Sequence, residues 1–350
     1  MDDLDRALQV IAGADQREVL RRGYHLIKRH YYSPLNDPEW LEANADLWRP
    51  PHMPRDIDWD VERQVGVARE VGAYVEELRD VPNKEPEETA RPGSGRATYH
   101  WHNPFFNVAD AVVWYGLVRS RRPRRVVEVG CGWSSLLLAR ALERNAADDR
   151  ARGARRESGT EGGSATHVTQ IEPYPSERVF ASLPGDWERH RRPIQRAPLG
   201  PFDELGAGDM LFYDGSHCSH VASDVNWMVF RILPRLARGV LVHFHDIFFP
   251  REYPVSWIFE RLQTWNEQYV LQALLMNSGA YRVVIANALL AEVHSAEVAG
   301  LYKGVQPAWG ASLWIEKTAD PDRRQEREAE ALTARCTETP RAHRDPKPAK

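Results

Sequence analysis

The stretch VVEVGCGWSSLLLARAL, residues 126–142, decides the fold. It opens on Val126, Val127 and Val129, β-branched residues suited to a buried strand. Gly130 and Gly132 then frame a tight turn, and SSLLLARAL continues with helical spacing. Strand, glycine turn and helix in this order begin a βαβ unit. The glycines allow a sharp turn and a close approach of backbone to ligand. Ser134 or Ser135 can cap the helix, whose N-terminus favours negative groups.

Outward from this turn the pattern repeats. THVTQIEP (166–173), DMLFYDG (209–215) and GVLVHFHDI (239–247) are further short β-rich runs. Helical candidates lie between them: SSLLLARALERN (134–145), VNWMVFRILPRLA (225–237) and SWIFERLQTWNEQYVLQALL (256–275). DAVVWYGLVRSRRP (110–123) reads as a helix stopped by Pro123. Alternating β and α with nearly continuous apolar strands predicts an α/β fold, a mostly parallel sheet covered on both faces. YRVVIAN (281–287) and ASLWIEK (311–317) close the sheet as an antiparallel pair.

The rest of the chain bounds the answer. Residues 1–100 alternate amphipathic helices with Pro-rich loops and read as a helical cover over the substrate cleft. Residues 145–166 are polar, Gly-rich and nearly free of apolar side chains, which predicts a disordered insertion. Residues 319–350 form a charged tail, predicted to be disordered, with one helix-compatible run, RRQEREAEALTAR. A net charge of -4 makes no global field for nucleic acid. The three cysteines, Cys131, Cys218 and Cys336, are far apart and suggest neither a disulfide framework nor a zinc knuckle. An acidic N-terminus and the lack of a long apolar run fit a cytoplasmic protein with no membrane partner. A homo-oligomer is left open.

Three ligands compete for the glycine turn. A dinucleotide wants a third glycine, yet Ser135 stands at the sixth position of the pattern from Gly130. A P-loop wants Gly-Lys-Ser/Thr, which is absent. S-adenosylmethionine has no phosphate but has a carboxylate, an ammonium and a ribose. Glu128 before the glycines can hold the ammonium side, and Glu172 in IEPYP can accept from both ribose hydroxyls.

EVGCGWSS, IEPYP, FYDGSH, SDVN and VHFHDIFFP, in this order, resemble the class I S-adenosylmethionine-dependent methyltransferases. They are most similar to a bacterial family of small-molecule enzymes grouped with sugar and natural-product O-methyltransferases. The resemblance spans about 101–317, within a methyltransferase domain of 101–318, and implies a Rossmann-like sheet of seven strands with the last hairpin reversed. It implies cofactor contacts from Glu128, Gly130, Gly132 and Glu172, and Ser134 and Asp214 are further cofactor-binding candidates. Trp133–Ser134, where many relatives have a third small residue, departs from the pattern.

Two strands end in polar clusters, Asp214 with His217 and His245 with Asp246. In an open α/β sheet, ligands bind beyond the carboxyl ends of the strands, so these clusters belong to one crevice. Strand alternation puts His243 and His245 on one face and Phe244 on the other. A hydroxyl becomes a nucleophile when its proton is removed, which suits a histidine. His217 is the expected general base and His245 a further catalytic residue. The resemblance also implies a divalent metal ion on Asp214, His245 and Asp246, although relatives carry Asp or Glu at the His245 position.

Aromatic residues flank both clusters: Trp101, His102, Phe105, Phe106, Trp114 and Tyr115 before β-rich run one, and Phe248, Phe249 and Tyr253 after the last. Such walls suit a small-molecule acceptor, for example a sugar or a glycosylated metabolite. Glu267 and Gln268 read as facing a partner or solvent. The expected activity is methyl transfer to a hydroxyl. The alternatives are a nicotinamide-dependent oxidoreductase and a non-catalytic cofactor-binding protein.

Overall fold

Seven strands form one sheet in the order β3-β2-β1-β4-β5-β7-β6 in a computed structural model of the protein. They are β1 (Arg125–Val129), β2 (His167–Ile171), β3 (Glu188–His190), β4 (Met210–Tyr213), β5 (Leu241–Phe244), β6 (Tyr281–Ala286) and β7 (Leu313–Lys317). The structure describes residues 3–13, 15–25, 33–91, 93–106, 108–152, 166–302 and 310–338.

β1 pairs in parallel with β2 on one side and β4 on the other. Only β7 runs against its neighbours, antiparallel to both β5 and β6. The expected antiparallel pair is present as β6 with β7, and within it β7 is the reversed strand. β3 was invisible in the sequence because Glu-Arg-His at a sheet edge carries no apolar alternation. The sheet is the mostly parallel, Rossmann-like α/β arrangement that the sequence predicts.

Two helices cover one face: α2 (Val108–Arg121) and α3 (Trp133–Ala151). α2 is apolar all round and buried from Val108 to Arg119, as a helix sandwiched between layers must be. Its outer side receives α1 (Val61–Gly72). Gly116 makes that approach possible, since a Cβ there would sit 2.4 Å from Val71 Cβ. On the other face Met228, Ile232, Leu236, Leu271 and Leu275 pack over β1, β4 and β5.

Three expectations need correction. Residues 145–151, assigned to the insertion, are the last two turns of α3. Asn145 and Asp148 bond to Arg119, and Asp149 to Arg122, so these polar residues have partners on α2 and the loop after it. Residues 153–165 of the insertion are outside the described residues. Residues 51–100 belong to the same compact unit as the sheet, while 1–50 and 252–264 form a second unit. The tail is helical over Arg323–Glu338; residues 339–350 lie outside the described residues.

The run 256–275 is likewise not one helix. Helix Val255–Phe259 ends, Leu262 takes φ 52°, and α4 (Glu267–Leu275) starts afresh. The restart is pinned by main chain: Asn266 and Glu267 N–H groups both donate to the His217 carbonyl, at 3.0 and 3.2 Å. That contact brings a new acidic residue to the carboxyl end of the sheet.

Candidate active site

β1 leads to β2 on one side and, by a later crossover, β4 lies on the other, so a crevice opens between their carboxyl ends. A cleft of about 420 Å³ occupies that place. Gly130, Cys131, Gly132, Trp133 and Ser134 of the turn line it, with Glu172, Tyr174 and Asp214 from the neighbouring strand ends. Phe105 and Phe106 form part of its wall. The other expected aromatics diverge: Trp114, Tyr115, Phe248 and Phe249 are buried.

Gly130 lets the tips of β1 and β4 touch. It has φ 81°, and a Cβ on it would fall 1.8 Å from the Asp214 carbonyl oxygen. Gly130 N–H donates to Ile171 and Asp214 N–H to Val129, which ties all three strand ends together. Gly130→Ala is expected to cost at least about 2 kcal/mol, from the positive φ and the backbone overlap. Urea unfolding checks this; a loss within experimental error would show that the turn relaxes freely.

Glu128 lies under the turn, out of the cleft. Its carboxylate is fully buried and accepts from Ser134 Oγ at 2.8 Å, Ser135 Oγ at 2.7 Å and Gln170 Nε2 at 2.8 Å. Burial holds its pKa above the usual range despite these bonds. The two serines thus brace the turn through Glu128, and Ser135 Oγ also accepts from the Gly132 N–H. Direct contact between Glu128 and a ligand ammonium does not follow from this placement. Glu172 does line the cleft, and it accepts from the Cys131 and Tyr174 N–H groups at 3.0 and 2.6 Å.

Behind Asp214 the two predicted clusters meet. His217 Nε2 is 3.3 Å from Asp214 Oδ1 and 3.6 Å from Asp246 Oδ2. His245 Nδ1 is 3.8 Å from the same Asp214 oxygen and 3.5 Å from the same Asp246 oxygen. Two carboxylate oxygens and two imidazoles therefore alternate around a ring. Each imidazole also has a buried carboxylate behind it. His217 Nδ1 bonds Glu267 at 2.9 Å, and His245 Nε2 pairs with Asp110 Oδ2 at 3.5 Å. His217 and Asp246 both take positive φ, 58° and 56°. Such backbone costs about 1–3 kcal/mol and persists where surrounding bonds over-determine it.

Electrostatics follow from the ring. Burial alone would depress His217, but Asp214 and Glu267 outweigh it and lift the imidazole to about 10. Burial would raise Asp214, yet His245 and His217 hold it down at about 2. Asp214 is also the ring member that reaches the cleft, with 30% of its side chain exposed. Burial opposes charge on His245, but Asp246, Asp214 and Asp110 keep it well above the ordinary range. His243 is the contrast: burial and the neighbouring charge of His245 depress it to about 3. It stacks on Phe212 at 4.0 Å and contacts Ser312 Oγ at 2.8 Å, a core histidine on the face shared with His245.

The expected metal site is not formed. Among the described residues no group of three or more His, Cys, Asp or Glu is arranged to hold a metal ion. The physical reason is that each imidazole already stands between acids, His217 between Asp214 and Glu267 and His245 between Asp246 and Asp110. His245 is moreover buried between the carboxylates and Phe106, which stacks on it at 5.3 Å, so it reaches the cleft only through Asp214.

Two site residues escaped the sequence reading. Asp110 had a signal, an acid inside a helix that is otherwise apolar on every side. Glu267 had none, because an acid in the first turn of a helix is ordinary. Gln268 is buried too, and its side chain accepts from Phe248 N–H at 2.6 Å.

The comparisons address this same region. Residues 127–247, from β1 to the residue after Asp246, match the family model described as a methyltransferase domain. That match supports a methyltransferase. It spans the turn, both cleft carboxylates and the whole imidazole–carboxylate ring, but not Asp110 or Glu267 behind it. The chain is also 28% identical over 181 residues to an uncharacterized protein of Archaeoglobus fulgidus, covering 50% of this chain and 72% of that one. No helix of the described residues is long and apolar enough to cross a membrane.

Proposed function

We propose that the protein transfers a methyl group from S-adenosylmethionine to a hydroxyl of a small molecule. The observation that carries this reading is the cleft at the β1/β4 switch point, where Glu172 stands on one wall and Asp214, backed by His217, on the other. The residues fit the donor. Gly132 lines the cleft with open space where a Cβ would stand, and Glu172 offers a carboxylate to a ribose diol. Tyr174, 90% exposed at the cleft, offers a ring face to the base. When bound, S-adenosylmethionine supplies an activated methyl group on a sulfonium.

The protein's own part is proton handling and exclusion of water. We assign the acceptor proton to His217, which the cleft reaches only through Asp214, and in the free protein its carboxylate partners keep it protonated at neutral pH. A positive charge brought into the cleft competes with His217 for Asp214 and loosens that proton. Donor occupancy and base formation are coupled through one carboxylate. Trp133, Phe105 and Phe106 supply apolar wall that strengthens this electrostatic competition. A sugar or glycosylated metabolite fits such a wall as acceptor.

Calorimetry with S-adenosylhomocysteine and with NAD tests the reading. Binding of the first and not the second is expected. Glu172→Gln should weaken that binding by about tenfold, the order of one charged hydrogen bond. Preference for NAD, or full affinity in the variant, would overturn the donor assignment.

A further inference from the structure

The cleft has a wall that the sheet does not supply. Ala97, Phe105 and Phe106 stand in it, and all three precede β1 in the chain. Two main-chain bonds staple the base of this wall. Trp101 N–H donates to the Pro82 carbonyl and His102 N–H to the Asn83 carbonyl, each at 2.9 Å. Asn103 shapes the tip, where its Oδ1 accepts from the Phe105 and Phe106 N–H groups at 3.1 and 2.8 Å. These bonds are local, and none of them joins the wall to the Glu172 side of the cleft.

Arg178 makes that join. It sits in the helix Glu177–Phe180, which follows the Glu172 loop, and it lines the cleft itself. Its Nη2 donates to Glu85 Oε1 at 2.5 Å and to the Thr89 carbonyl at 2.7 Å. Its Nε donates to the Arg96 carbonyl at 3.2 Å, one residue before Ala97. Ser182 completes the joint: its Oγ accepts from the Ala97 N–H at 2.7 Å and donates to the Arg178 carbonyl at 2.9 Å. A guanidinium suits this task, because its planar fork serves several acceptors at once. Glu85, with 16% of its side chain exposed, is the charged partner and does not line the cleft. Gly93 and Gly95 both take positive φ, and a Cβ on either would meet nothing within 4 Å. Packing holds nothing in place at those glycines, so the Arg178 bonds supply the restraint.

We propose that Arg178 is a positioning residue that clamps the wall at 97–106 to the Glu172 loop and thereby sets how long a nucleoside ligand stays in the cleft. Escape past the wall is slow while the Arg178 bonds hold. A restraint of this kind shows in dissociation more than in association. The identity of the ligand rests on the methyl-transfer reading, whereas the clamp does not.

Stopped-flow displacement of S-adenosylhomocysteine from the full-length chain, followed by tryptophan fluorescence, gives the first arm of the test; Trp133 lines the cleft. Arg178→Ala should speed dissociation by about tenfold, the weight of a lost charged hydrogen bond, with association little changed. Arg178→Lys keeps a charge for Glu85 but not the fork, and should fall between. Glu85→Gln should speed dissociation by about threefold, the weight of a partly exposed ion pair, although residue 85 does not line the cleft. The second arm needs no ligand. Trypsin nicking of the Arg96–Ala97 bond, read by mass spectrometry, should quicken in Arg178→Ala and in Glu85→Gln, because Ala97 is buried while the clamp holds. A Glu85→Gln dissociation rate equal to that of the wild type would overturn the proposal, since Arg178 would then act by direct contact with the ligand. Unchanged nicking in both variants would overturn it as well. Should Arg178→Ala not fold, Glu85→Gln carries both arms. A wild type that binds no S-adenosylhomocysteine would sink the donor assignment, and nicking would then decide the clamp alone.

Discussion

His217→Ala is expected to lower methyl transfer by about 10²–10⁴-fold, the usual weight of a positioned general base. Donor affinity should rise rather than fall, because removing the His217 charge leaves Asp214 free to face the donor's positive charge, and that coupling is reciprocal. The pH profile carries the stronger information. With the imidazole lifted to about 10, kcat/KM should climb with pH toward that value, since only the neutral ring accepts a proton. In the alanine variant that climb should vanish. A wild-type profile already flat at pH 7, together with undiminished turnover in the variant, would remove His217 from the chemistry.

The same shift predicts a stability effect of definite sign. The pKa is raised above the ordinary 6.5, so the folded state holds the proton more tightly than the unfolded chain. The contribution is complete below about 6.5 and is lost as pH rises through about 10. His217→Gln, which keeps most of the volume, should therefore narrow its gap from wild type at high pH. Denaturant unfolding at pH 6 and pH 10 measures this directly.

Asp110→Ala is expected to be the most destabilising single change in the site. It strands three hydrogen-bond donors and leaves the His245 charge without its deepest partner. Breaking one side of a buried ion pair costs about 3–5 kcal/mol. In a unit of this size that corresponds to roughly 10 °C of melting temperature. The space cannot be refilled by a larger acid, because Gly310 packs against the carboxylate: a Cβ on it would meet Asp110 Oδ1 at 2.3 Å. Asp110→Asn should be milder, since an amide oxygen still accepts from the backbone. A loss below about 1 kcal/mol for the alanine variant would mean the network is not under load.

Much of the fold was legible because each strand tip carries its own punctuation. VVEVGCG, IEPYP, YDGSH and FHDI each change from apolar to polar at the residue where the chain leaves the core. That change also located Glu172, Asp214, His217, His245 and Asp246. The missed pieces lack such a signal. β3 is three polar residues at an edge, and α3 extends into polar residues because Arg119 and Arg122 receive them. The break before α4 depends on a main-chain bond to His217, which no local pattern announces.

The sequence by itself determined the alternation of β and α, the glycine turn and the acids and imidazoles at the strand ends. Those are local properties, written in side-chain periodicity and backbone freedom. Only the tertiary structure decided what the polar groups do. It turned Glu128 inward onto two serines and a glutamine, and it brought Asp110 and Glu267 behind two histidines from distant parts of the chain. A protonation state depends on which charges lie within a few ångströms and on how much water they have lost, and neither distance nor burial is encoded by spacing along the chain.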